Sequence, residues 1–201
     1  GSLVADPGAS ILFRDEVIVA PGTTSSLGGE LRIAELTGGA IDLTIGSGGQ
    51  LTISGAATTV ESINGPFLRK LGPGTLAMEA STTCPRFDAV GGFSRFDGTA
   101  ANTLIRLEGG TLGGNGSVGG VTSLSSGTVA PGTGPGILSS GAITWNAATT
   151  VAIEIAGTAA GAGHDQIAVI GPINLNGATL AVATPGGFQP SGPTVWIIMD
   201  N

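Results

Sequence analysis

The stretch from Ala40 to Gly55 reads AIDLTIGSGGQLTISG and contains the pattern that decides the fold. Ile41, Leu43 and Ile45 alternate with polar residues, and the alternation resumes at Leu51 after a glycine-rich break. Apolar residues at every second position are typical of a β-strand with one buried face, because successive side chains point to opposite sides. Glycine supplies the positive φ values that tight turns require. The stretch therefore predicts short strands joined by a tight turn.

The same rhythm of short strands and glycine breaks extends along the rest of the chain. Alternating apolar residues recur at residues 31–33, 76–78, 151–155, 180–182 and 195–197, with glycine pairs or Gly-x-Gly between many of them. No long glycine-free stretch has apolar residues at helical spacing. Short strands with regular turn signals fit a sandwich, a barrel or a solenoid, so the chain is predicted to be all-β.

Composition favours the solenoid among these three folds. Glycine makes up 37 of 201 residues, aromatic residues 4% and charged residues 10%. Few aromatic residues argue against the core of a typical β-sandwich, which remains the main alternative. Few charges suit strands stacked in register, where like charges would repel one another at about 4.8 Å. We predict that residues 1–201 form a single parallel β-solenoid, which at roughly 20 residues a rung gives about nine or ten rungs.

Charge and cysteine content exclude several classes of function. The net charge is −7, and all seven Lys and Arg residues lie at or before Arg106. Binding to a phosphate backbone or to an anionic membrane needs cationic contacts, so we expect neither a nucleic-acid partner nor membrane insertion. Cys84 is the single cysteine, so the fold does not depend on an intrachain disulfide.

The residues that could support catalysis are sparse. His164 is the single histidine, which excludes a His-based metal cluster, and its neighbour Asp165 would point to the opposite face of a strand. Gly113–Ser117 resembles a calcium nonapeptide but has Ser where the carboxylate should be. We therefore predict no catalytic residue, no metal site and no cofactor. A β-helical polysaccharide-active enzyme stays open as an alternative, because scattered carboxylates could supply a catalytic pair.

Residues 80–102 break the strand rhythm. This segment contains Arg-Phe-Asp twice and three of the six phenylalanines. We predict a loop or hairpin excursion from the solenoid here, since loops on rigid scaffolds often carry function. The alternative is that the phenylalanines fold back onto the solenoid while Arg and Asp pair. The candidate partner contacts are Arg86, Phe87, Asp88, Arg95, Phe96 and Asp97.

Turn residues are most distinct between residues 130 and 136. In each of two Pro-Gly pairs, proline fixes its φ angle and glycine can adopt a positive φ. The pairs therefore predict rigid turns that place Val129 and Ile137 on successive core-facing strands. An aspartate after a glycine-rich loop is expected to cap a turn. The predicted turn and cap residues are Pro131, Gly132, Pro135, Gly136 and Asp165.

Two stretches resemble the autotransporter-associated β-strand repeat of bacterial passenger domains. Leu68 to Leu76 reads LRKLGPGTL, which is similar to the family signature Lys-x-Gly-x-Gly-Thr-Leu. Gly109 to Leu138 reads GGTLGGNGSVGGVTSLSSGTVAPGTGPGIL. That resembles Gly-Thr-Leu-x-Gly-x-Gly-x-Val followed by Ala-Pro-Gly-x-x-Pro-Gly-x-Leu. The order of motifs through residues 109–201 is similar to the family's junction or autochaperone region, and residues 80–102 depart from the family pattern.

The resemblance implies that the fold is a right-handed parallel β-helix. The chain would be a fragment of a longer precursor and a secreted, non-enzymatic structural segment of an autotransporter passenger. It would support passenger folding, secretion and surface display. The implied partner is the protein's own C-terminal outer-membrane β-barrel, and the implied location is the bacterial cell surface, reached through the periplasm. We expect a monomer. An adhesin that binds a host-cell or matrix ligand through residues 80–102 is the alternative.

Overall fold

The computed structural model describes side chains for residues 68–70, 72–79 and 85–201, and elsewhere only the backbone of individual strands. Up to residue 82 the strands are β1 Val4–Ala5, β2 Ser10–Leu12, β3 Glu16–Val19, β4 Thr24–Leu27, β5 Glu30–Ile33, β6 Glu35–Gly38, β7 Ile41–Ile45, β8 Gln50–Ile53, β9 Ala57–Val60, β10 Phe67–Leu71, β11 Thr75–Met78 and β12 Ser81–Thr82. They continue with β13 Arg86–Ala89, β14 Phe93–Phe96, β15 Thr99–Leu107, β16 Thr111–Gly114, β17 Ser117–Ser123, β18 Gly127–Pro131, β19 Ile137–Thr144, β20 Thr149–Glu154, β21 Gln166–Val169, β22 Ile173–Asn174, β23 Thr179–Ala183 and β24 Met199–Asp200. A 3₁₀ turn spans Pro185–Gly187.

The strands form parallel sheets in which each strand pairs with its counterpart one coil further along the chain. An eleven-stranded sheet runs from β1 to β24, a nine-stranded sheet runs from β2 to β23, and a four-stranded sheet joins β3, β6, β9 and β12. Every pairing between these strands is parallel. This arrangement confirms an all-β solenoid and excludes the sandwich, whose sheets are antiparallel. The handedness and the number of rungs stay predictions.

The core consists of side chains stacked in register from coil to coil. Pairing in the eleven-stranded sheet aligns one inward column, Leu68, Phe87, Ile105, Val121 and Ile143. A second column in the nine-stranded sheet holds Leu112, Val129 and Val151. All eight of these residues are buried. Full burial of such a side chain contributes about 1.5–3 kcal/mol relative to exposure, so the columns stabilise the stacking of one coil on the next.

Residues 85–102 are part of the solenoid body, so the predicted loop or hairpin excursion at 80–102 is wrong for the part that the structure describes. β13 lies between β10 and β15, and β14 lies between β11 and β16, all in parallel register. The reason is the Arg-Phe-Asp sequence itself, which alternates polar, apolar and polar residues. That alternation directs Phe87 and Phe96 into the core.

The predicted core position at Ile137, at the start of β19, is wrong by one residue. Val129 is buried as expected, but Ile137 is half-buried and the following residue, Leu138, is the one with no exposed area. Because alternate residues face inward, Leu138 and Ser140 point to the core and Ile137 points away from it.

Candidate functional site

Lys70 is fully buried near the end of β10, just before the turn that leads to β11. It belongs to the motif LRKLGPGTL at residues 68–76. Its Nζ donates to the carbonyl oxygens of Gly72 and Gly74 at 2.5 Å each, and to that of Gly91 at 2.8 Å. An ammonium group has three donors, and here all three are used. Two acceptors come from the turn that follows Lys70 and the third from the equivalent turn one coil later. We call this arrangement the Lys70 cage.

The Lys70 cage depends on a glycine that comes close to it. Gly92 has φ of +63°, and a Cβ there would clash with Lys70 Nζ and with the carbonyl oxygens of Gly72 and Gly74. Only glycine combines that backbone conformation with the absence of a Cβ. Burial lowers the pKa of Lys70 from 10.5 to about 8. The cage therefore ties two successive coils together with a desolvated cation whose partners are backbone oxygens.

The two Arg-Phe-Asp segments place their charges in ion pairs along the sheets. Arg86 Nε lies 3.1 Å from Asp88 Oδ1. Arg95 lies 3.1 Å from Glu79 Oε1 and 2.6 Å from Asp97 Oδ2. These ion pairs match the alternative in which the Arg and Asp side chains pair with one another.

The two phenylalanines of these segments are only 1% exposed, so the prediction that Phe87 and Phe96 contact a partner is wrong. Each phenylalanine stands between an arginine and an aspartate in the sequence, and its side chain points into the core of the solenoid. The six candidate contact residues thus separate into two core aromatics, Phe87 and Phe96, and four charged residues that pair within the solenoid.

Arg69, Asp88 and Arg106 occupy the same register position on three successive strands of the eleven-stranded sheet. Arg106 Nε lies 3.8 Å from Asp88 Oδ1, and Glu108 reaches both arginines at 3.6–3.8 Å. Desolvation raises the pKa of Asp88, while Arg86 and Arg106 oppose that rise. We call Arg69, Asp88 and Arg106 the charge column.

The Asp165 carboxylate joins the turn around residues 131–136 to the end of β20. Its Oδ1 accepts from the Gly136 N–H at 2.8 Å and its Oδ2 from the Glu154 N–H at 2.7 Å. The side chain is 1% exposed; burial raises its pKa, and the two backbone hydrogen bonds oppose that rise. With each carboxylate oxygen bonded to a backbone N–H, Asp165 acts as an anchor between segments.

The predicted turn residues lie together beside this anchor. Pro131 is the last residue of β18, and Gly132 follows with φ of +74° and donates its N–H to the Gly114 carbonyl at 2.9 Å. Pro135 and Gly136 complete the turn, and Asn115 Oδ1 accepts from the Ile137 N–H at 3.2 Å. Asp165 and Asn115 thus both hold this turn through side-chain oxygens that accept from its backbone N–H groups.

An open groove of about 330 Å³ lies beside the same turn. Its walls are residues 130–134, the end of β20 and the end of β23, and its charged residues are Glu154 and Asp165. The groove is lined largely by small and aliphatic side chains.

Among the residues that the structure describes, no group of three or more His, Cys, Asp or Glu is arranged to hold a metal ion. His164 is buried, and Trp145 is 2% exposed, while Trp196 donates its indole N–H to the Gly157 carbonyl at 2.8 Å. Across the part of the chain that the structure describes, no helix is long and apolar enough to span a membrane.

Comparison with known proteins adds no family assignment. No protein-family model, no curated protein and no solved structure gives a significant match to this chain.

Proposed function

We propose that this chain is a non-enzymatic structural segment of a bacterial autotransporter passenger, exported through the periplasm and displayed at the cell surface. Its stacked coils assist folding and secretion of the passenger and carry the remainder of it away from the outer membrane. Its partner in the complete protein is that protein's own outer-membrane β-barrel.

The Lys70 cage is the observation that carries this proposal. The motif that resembles the family repeat contains Lys70, Gly72 and Gly74, and these residues supply the donor and two acceptors of the cage. Thr75 and Leu76 then begin the next strand. Each position that the signature specifies thus has a physical task in joining one coil to the next, which supports a repeat-built scaffold.

Two observations argue against keeping the adhesin as a second candidate. The phenylalanines proposed as contacts lie in the core, and the neighbouring Arg and Asp side chains pair with one another. The described structure likewise offers no feature that favours a polysaccharide-active enzyme over a scaffold.

Surface display in a Gram-negative host tests the proposal. The chain is fused ahead of an outer-membrane β-barrel translocator, and surface labelling of intact cells is combined with protease resistance of the displayed segment. We expect a protease-resistant displayed segment, reduced in amount by Gly92→Ala but not by Gly134→Ala. If the parent chain, Gly92→Ala and Gly134→Ala were all displayed in equal amounts as unfolded, protease-sensitive chains, the proposed role in passenger folding and secretion would be contradicted.

The reading frame that encodes this chain provides an independent test. It should continue into strands of about ten residues with alternating hydrophobicity, as outer-membrane barrels have. A frame that lacks such strands would overturn the proposal.

A further inference from the structure

One outward-facing position of the nine-stranded sheet holds threonine on four of the five successive strands β11, β14, β16, β18 and β20. In register the five residues are Thr75, Phe93, Thr111, Thr128 and Thr150. All five are half-buried and the residue after each of them is buried, so their side chains point away from the core. Each of these strands has a neighbour on either side within the sheet. We call the five residues the threonine row.

The hydroxyl groups of the threonine row are not used inside the protein. None of the four accepts or donates a hydrogen bond within the part of the chain that the structure describes. A threonine hydroxyl offers one donor and two acceptor sites. Neighbouring strands lie about 4.8 Å apart, so the row presents these groups in steps of that length along the solenoid axis. It therefore offers regularly spaced hydrogen bonds to a partner outside the chain.

Phe93 places an aromatic ring within this polar row. A Cβ at Gly113, on the neighbouring strand, would lie 2.7 and 2.8 Å from Cε2 and Cζ of Phe93, so the ring extends over Gly113. Phe93 nevertheless stays half-buried, whereas Phe87 and Phe96 are buried in the core. The face of an aromatic ring is electronegative and attracts the slightly positive C–H groups of a sugar ring. Phe93 thus adds a stacking platform to the row of hydroxyl groups.

The surface beside the row has small side chains and little free charge. On β16, β18 and β20 the residue two positions beyond the row points to the same side and is glycine or alanine. Glu154, at the end of β20, is the one charged residue of these three strands. On β14, Arg95 forms ion pairs with Glu79 and Asp97. Such a surface favours a neutral partner over an anionic one.

We infer that the threonine row binds a neutral, extended polysaccharide chain that runs along the solenoid axis. An extended chain of β-linked sugars advances with each residue by a length close to the strand spacing of about 4.8 Å, so one sugar can lie over each coil. One sugar ring stacks on Phe93, and the hydroxyl groups of the following sugars bond to Thr111, Thr128 and Thr150. The inference does not depend on the proposed function, and the row contains none of the six residues predicted as partner contacts.

Isothermal titration calorimetry of the purified chain with cellohexaose, chitohexaose and mannohexaose tests the inference. We expect the parent chain to bind at least one of these neutral hexasaccharides. Phe93→Leu keeps an apolar cover over Gly113 but lacks the aromatic face, and its dissociation constant should rise at least about tenfold, or about 1.4 kcal/mol. Thr111→Val/Thr128→Val keeps the shape of both side chains without their hydroxyl groups and should also weaken binding severalfold.

The matched control is Thr122→Val/Thr144→Val, because these two threonines are paired in register on the outward side of the eleven-stranded sheet. It should bind like the parent chain. Circular dichroism verifies that the variants keep their β-structure, and amide chemical shifts should respond to the bound hexasaccharide on β14, β16 and β18. A parent chain that binds none of the three hexasaccharides, binding that Phe93→Leu leaves unchanged, or equal weakening by the control would overturn the inference.

Discussion

Phe87 and Phe96 meet edge to face inside the solenoid, with ring centroids 5.1 Å apart and ring planes at 89°. Phe87 belongs to β13 in the eleven-stranded sheet and Phe96 to β14 in the nine-stranded sheet, so the contact joins two walls of one coil. Such aromatic pairs contribute about 0.5–1.5 kcal/mol beyond the area they bury. The region expected to project from the solenoid is thus where two of its walls are fixed together.

Truncation of one ring should destabilise the fold strongly. Phe96→Ala removes the ring contact and leaves a cavity, so we expect the free energy of unfolding to fall by about 3–5 kcal/mol. Chemical denaturation followed by circular dichroism measures this change. Ile170→Ala, at a residue that is 87% exposed, serves as control and should alter stability by less than about 0.5 kcal/mol. A loss for Phe96→Ala no larger than that of the control would contradict the core placement.

A methyl group at Gly92 should break the Lys70 cage. Because Gly92 has φ of +63° and faces Lys70 Nζ and two carbonyl oxygens, Gly92→Ala combines backbone strain with a steric clash. We expect a loss of about 2 kcal/mol or more in the free energy of unfolding. Gly134 has nothing within 4 Å of its Cβ position, so Gly134→Ala is the matched control and should be nearly neutral. Indistinguishable denaturation midpoints for the two variants would refute this account.

The pKa of Lys70 predicts a rise in stability at alkaline pH. Burial holds it at about 8 in the folded chain, against 10.5 for an ordinary lysine. Between those values the unfolded chain binds more protons, so the free energy of unfolding increases with pH, by at most about 3 kcal/mol over the whole window. Lys70→Met lacks this titration, and the difference between the parent and variant stability curves isolates it. If the free energies of unfolding of the parent chain and of Lys70→Met changed in parallel between pH 8 and 10.5, a lowered pKa of Lys70 would be excluded.

Loss of the Asp165 carboxylate should loosen the turn that it anchors. Asp165→Asn turns one acceptor into an amide donor that faces the N–H of Gly136 or Glu154. An unsatisfied buried group costs about 1–3 kcal/mol, and we expect that loss. Asp200→Asn, at an exposed residue, is the control. Hydrogen exchange should accelerate at the Gly136 and Glu154 amides in Asp165→Asn alone; unchanged protection there would argue against the anchor.

Much of the fold could be predicted because period-two alternation and glycine breaks are local features. The strands within 80–102 follow from the same local pattern, since Arg86-Phe87-Asp88 alternates polar and apolar residues as a half-buried strand does. The charged residues and phenylalanines that set this segment apart in composition do not interrupt that alternation.

Contacts between coils could not be predicted from the same signals. The motif identified Lys70, Gly72 and Gly74 as a turn, yet the third acceptor, Gly91, lies 21 residues further along the chain. Asp165, whose carboxylate accepts from the Gly136 N–H in the turn before Leu138, likewise lies 29 residues beyond Gly136 in the sequence. Only the stacking of coils brings such partners together.

The charge column has a consequence for folding accuracy. A chain of similar coils can misfold by looping out one coil and pairing its two neighbours, with the aliphatic columns almost undisturbed. Omission of β13 would set Arg69 of β10 beside Arg106 of β15, two like charges about 4.8 Å apart, in place of the attraction that each has for Asp88. The alternating charges of Arg69, Asp88 and Arg106 therefore disfavour a misfolded chain in which the coil that contains β13 is skipped.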